Sequence, residues 1–150
     1  MHTTSEHTVK VLNSLIETTL DSASGYRDAA DATGSLQFKD MFATRSQRRM
    51  ELARQLQQEV RTFGGVAEDD QSALGKAHNT ITELKGKLTG NDDKSVINEV
   101  ERGEDVIKAK FEKAMDDPDL PSDARQLVST AYGEIKSEHD DISRLKHQMH

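Results

Sequence analysis

Between Ser137 and Asp141 three carboxylates, Glu138, Asp140 and Asp141, surround a single imidazole, His139. Carboxylate and imidazole donors suit iron or manganese. The same groups suit a second chemistry, in which arginines neutralise the carboxylates through paired hydrogen bonds. Three arginines, Arg45, Arg48 and Arg49, lie far upstream in a stretch of similar polarity. Which chemistry holds depends on the elements that carry these residues and the faces they present.

The elements read as helices. Thr3 and Glu6 have capping-box spacing. After them Val9, Leu12, Ile16, Leu20, Ala23, Tyr26 and Ala30 recur every three or four residues. This spacing predicts one helix over about 5–32 with a single apolar stripe. Thr33-Gly34-Ser35 ends it and can cap the next. Phe38, Met41, Phe42, Leu52, Leu56, Val60 and Phe63 predict a second helix over 36–63, stopped at Gly64-Gly65. The short link makes the two an antiparallel hairpin. Leu74, Ala77, Ile81, Leu84 and Leu88 predict a shorter helix over 72–88. Val96, Val100, Ile107, Phe111 and Ala114 predict another over 92–116, and Leu127, Ala131, Ile135, Ile142 and Leu145 the last over 121–148, with Pro121 at a first helical position.

Two helices, a crossover and two more helices make a ferritin-like arrangement. The alternative is an up-down bundle with the short helix folded over one end. The fold expected is all-α: one domain, an antiparallel four-helix bundle with an additional short crossover helix.

Composition narrows the function. The chain has 150 residues, 33% hydrophobic and 31% charged, with no Trp and no Cys. Thiolate catalysis, zinc–cysteine sites and iron–sulfur clusters are excluded. A net charge of -7 leaves no basic stripe for nucleic acid. No signal peptide and no stretch of membrane-spanning length is visible, so a cytoplasmic protein is expected. No Gly-x-Ser-x-Gly turn or phosphate loop occurs.

Each residue turns a helix by about 100°. With Ile135 as the stripe centre, His139 falls roughly 40° to one side and Glu138 roughly 60° to the other, both inside the stripe. Asp140 and Asp141 point away. Glu104 lies between Val100 and Ile107, and Arg45 and Arg49 line up with Met41, Leu52 and Leu56. Arg48 is at the edge, and Glu17 at the margin of its own stripe. All sit near mid-helix, which predicts one polar layer of Arg45, Arg49, Glu104, Glu138 and His139. Tyr26, at a stripe edge, reads as core. The remaining histidines, His2, His7, His78, His147 and His150, read as solvated.

A di-metal carboxylate site draws one Glu from each of two helices and a Glu-x-x-His from each of the others. The second helix has no Glu-x-x-His, and the residues around Glu51 are arginines, which repel a divalent ion. Glu138 and His139 are adjacent rather than three apart. An Arg–Glu–His network is therefore expected, without metal. The alternatives are a di-iron or di-manganese site using Glu17, Glu104 and His139, and charges that snorkel to water.

The stretches VLNSLIETTLDSASGYRDAADAT, FATRSQRRMELARQLQQEVRTFGG, INEVERGEDVIKAKFEKAM and YGEIKSEHDDISRLK resemble an uncharacterised, stress-associated group of bacterial ferritin-like four-helix-bundle proteins. Leu15-Ile16-Glu17 with Gly25-Tyr26, and the run from Glu101 to Asp105, carry the resemblance most specifically. It extends over roughly residues 8–146. It implies a ferritin-like bundle and brings no established reaction; iron chemistry would map only to Glu17, Glu104 and His139.

These readings converge on a non-enzymatic, stress-related or interaction protein without an intact di-metal centre. The alternative is an iron or manganese carboxylate oxidase or ferroxidase. A lean core in long helices also predicts self-association as a homodimer.

Overall fold

The computed structural model describes residues 2–68 and 93–148. Four helices fill them: α1 (His2–Ala32), α2 (Leu36–Thr62), α3 (Asp93–Met115) and α4 (Ser122–Gln148). No strand occurs among the described residues. The short helix expected over 72–88, with His78, lies outside them.

Local chemistry sets the helix ends. Ser35 is the N-cap of α2, its hydroxyl accepting from the Phe38 N–H at 3.2 Å. At the other end Gly64 takes φ +78°, the left-handed region open to glycine. The Gly64 N–H then donates to Arg61 O and the Gly65 N–H to Val60 O, which closes the last turn. A Cβ on Gly65 would lie 2.5 Å from the Val9 side chain, so the chain leaves α2 pressed against the start of α1. Pro121 does not enter α4; its carbonyl accepts from the Arg125 N–H just ahead of the first turn.

The contacts at the two ends decide the topology. Gly65 meets Val9, so α2 ends where α1 begins. Asp93 opens α3 and accepts from the Thr33 hydroxyl at 2.6 Å and from the Gly34 N–H at 3.1 Å, so α3 begins where α1 ends. The end of α2 and the start of α3 therefore lie at opposite ends of the bundle. Helices α1 and α4 run one way, α2 and α3 the other. Neighbours are α1–α2, α1–α3, α3–α4 and, more loosely, α2–α4, with α2 and α3 on a diagonal. This is the crossover arrangement, not the simple up-down one.

The apolar core is in two parts. One holds Leu12, Ile16, Leu20, Leu52, Leu56, Ile107, Phe111, Val128 and Ile135. The other holds Tyr26, Phe42, Val96, Ile97, Val100 and Ile142. The gap between them falls at the same level on all four helices.

Candidate buried ion-pair centre

That gap is filled by charge. Arg45 and Arg49 of α2, Glu104 of α3 and Glu138 of α4 are all buried. Each stands on the inner stripe of its helix, flanked above and below by core residues, so burial of the stripes carries them inward.

Arg49, 2% exposed, crosses the bundle diagonal. Its Nη1 donates to Glu104 Oε1 at 2.7 Å and its Nη2 to Glu104 Oε2 at 3.0 Å. Nη2 also donates to Glu138 Oε1 at 2.9 Å, and Nη1 to the Ser22 hydroxyl at 2.7 Å. The guanidinium carbon lies 5.4 Å from the centre of the Tyr26 ring, within cation–π range. Burial opposes the Arg49 charge, but Glu104 beside it, with Tyr26 and Glu138, holds its pKa above the usual guanidinium range. Burial pushes the Tyr26 phenol well up, and the Glu104 charge adds to this, so Tyr26 stays neutral.

Glu138 collects the arginines. Arg48 Nη1 donates to its Oε2 at 3.1 Å, and Arg45 Nε lies 3.6 Å from the same oxygen. Arg45 Nη2 donates to Asp141 Oδ2 at 3.1 Å. Asp141, expected to point into solvent, is instead a half-exposed member of the centre, shared with Arg144. Ser22, Arg48 and Asp141 are the members that the sequence reading missed. Arg48 sits at a stripe edge, where angle alone does not decide inside from outside, and Asp141, roughly 120° from Ile135, is reached by the length of the Arg45 side chain.

His139 is the correction. It does not join Arg45 and Arg49. Glu138 and His139 flank the stripe of α4 on opposite sides, so Glu138 leans toward α2 and His139 toward α3. Its Nε2 is 2.6 Å from Asp105 Oδ1 and its Nδ1 3.3 Å from Asp140 Oδ1. Partial burial works against the imidazolium, but Asp105 and Asp140 raise its pKa above the ordinary histidine value. Nearby, Glu101 accepts from Lys146 at 2.7 Å and from Ser143 at 3.0 Å, contacts that lower its carboxyl pKa.

The ligand set Glu17, Glu104 and His139 does not converge. Both Glu104 oxygens accept from Arg49, and both His139 nitrogens face aspartates. Glu17 is half-buried on α1, and no hydrogen bond or ion pair joins it to either. His7, read as solvated, is 2.6 Å from Asp117 Oδ2 and ties the start of α1 to the α3–α4 turn. His7, Asp117 and Asp119 bring three metal-type donors together there. Arg125 donates to the Asp117 carbonyl at 2.6 Å, which sets a cation beside them.

Four helices, α1 and α4 running one way and α2 and α3 the other, define a ferritin-like bundle. The chain belongs to the family described as Domain of unknown function (DUF2383), whose model matches residues 7–117. This is an uncharacterised ferritin-like four-helix-bundle family. Among solved structures the chain is similar to a Dps1 mutant from Mycobacterium smegmatis, with a TM-score of 0.80 over 97% of this chain and 99% of that one. Sequence identity is 11%, so the likeness concerns the fold. No curated protein matches. Among the described residues no helix is long and apolar enough to cross a membrane.

Proposed function

We propose that this chain is a non-enzymatic ferritin-like bundle in which an arginine takes the place of a di-metal centre. The observation that carries the reading is Arg49 bound through both nitrogens to Glu104 and through one to Glu138. A guanidinium keeps its charge and supplies no lone pair, so it neutralises carboxylates and repels a divalent ion. The carboxylates a metal would need are thereby satisfied, and these residues do not suit iron or manganese.

The role that fits is stress-related interaction or assembly in the cytoplasm, by a chain that pairs with a copy of itself and binds neither nucleic acid nor membrane. Support comes from the resemblance to a stress-associated bacterial group, the net charge of -7 and the lean apolar content. Light scattering tests the pairing: a dimer is expected, and a monomer across micromolar concentrations removes it.

Metal analysis by mass spectrometry tests the central claim, on untagged protein loaded with Fe(II) and Mn(II) and then desalted. No retained metal is expected. About two metals per chain, as in a carboxylate di-metal bundle, lost on changing Glu104 or His139 to Ala, would overturn it in favour of an oxidase or ferroxidase.

A further inference from the structure

Among the described residues, the α2–α4 side of the bundle is the least closed. A groove of about 790 Å³ opens there, beside the buried centre and continuous with Glu138. Its volume is that of a small-molecule site. The floor is apolar: Leu52, Leu127 and Ala131. The charges around it are unequal. Arg48 is held by Glu138, and Glu51 by Arg54 along its own helix at 3.0 Å. Glu134 also lines the groove and has no ion pair among the described residues. One carboxylate is thus left unbalanced over an apolar floor.

Gly133 lies next to it, in the middle of α4. Glycine weakens a helix interior relative to alanine. A Cβ at Gly133 would meet nothing within 4 Å, so no contact inside the fold requires glycine here. The missing side chain keeps the groove wall low beside the free carboxylate.

We propose that this groove binds an organic cation with a short apolar body. The ammonium sits on Glu134, and the carbon chain lies over Leu52, Leu127 and Ala131. The charge sign is the argument: an organic anion of the same shape would meet Glu134 and Glu51, with Arg48 already engaged.

The full chain titrated with n-hexylamine, followed residue by residue by nuclear magnetic resonance, tests this, with hexanoate as the control of opposite charge. The expected result is saturable shifts around Gly133 and Glu134 with hexylamine and none with hexanoate. Glu134→Gln weakens binding by roughly fivefold, the upper range for an exposed ion pair. Gly133→Leu, which improves helix propensity, abolishes binding by filling the groove. Shifts that do not saturate, hexanoate binding as tightly as hexylamine, or both variants binding like the wild type would overturn the proposal.

Discussion

Arg49 and Glu104 meet through two near-parallel hydrogen bonds, 2.7 and 3.0 Å long, at the centre of the bundle and between helices that are not neighbours. The pair spans the diagonal between α2 and α3. It sits where the apolar core is interrupted, and both side chains are almost fully buried.

Breaking the pair from one side is therefore costly. Arg49→Met leaves Glu104 buried and uncompensated, and a loss of about 3–5 kcal/mol is expected. The double change Arg49→Met with Glu104→Leu removes both charges and should recover most of that loss, since apolar replacement of a buried pair is often neutral or better. Urea denaturation of the three proteins checks both statements. Equal loss in the single and double variants would mean that Arg49 contributes through packing rather than charge.

Arg49→Lys should also destabilise, although charge is kept. An ammonium offers three donors without the planar fork, so it cannot bind Glu104 twice and reach Glu138 and Ser22 as well. Thermal unfolding should show a lower midpoint, and a midpoint equal to wild type would show that the fork geometry is dispensable.

His139 makes one contribution depend on pH. Its pKa is raised in the folded protein, first against partial burial and then through Asp105 and Asp140, with Lys108 opposing them. A group whose folded pKa is raised stabilises below its unfolded pKa, about 6.5 for histidine, and this stabilisation is lost as pH rises through the folded value. The wild type should exceed His139→Gln in stability most clearly below about pH 6.5, and the gap should shrink as pH rises past the folded pKa. Chemical denaturation on both sides of that range measures it. A gap that widens with pH would contradict the Asp105 pairing.

Gly64 is tested by backbone strain. Its φ of +78° is unfavourable for any residue with a Cβ, and Gly64→Ala should cost about 1–2 kcal/mol. A smaller loss in the melting curve would show that the end of α2 can relax.

Chelation gives a further test of the metal-free reading. Overnight treatment with a strong chelator should leave the thermal midpoint unchanged, because no structural ion is expected to contribute folding free energy. A fall in midpoint, restored by adding back iron or manganese, would reverse that reading.

Much of this was legible in the sequence. Apolar spacing, the Thr33-Gly34-Ser35 turn and the Gly64-Gly65 stop determine four long helices to within a few residues at each end. These signals are local, since periodicity and caps act over a few residues. The same periodicity puts Arg45, Arg49, Glu104 and Glu138 on inner faces at one height. It carries no information about partners. Only the tertiary structure decided that Arg49 crosses a diagonal, that Glu138 serves three arginines, and that Asp141 and Ser22 take part. It also decided that His139 turns to Asp105. Glu138 and His139 are about 100° apart on one helix, so both can border the stripe while facing different neighbours. Which neighbour each meets follows from the packing of the four helices, with α2 on one side of α4 and α3 on the other.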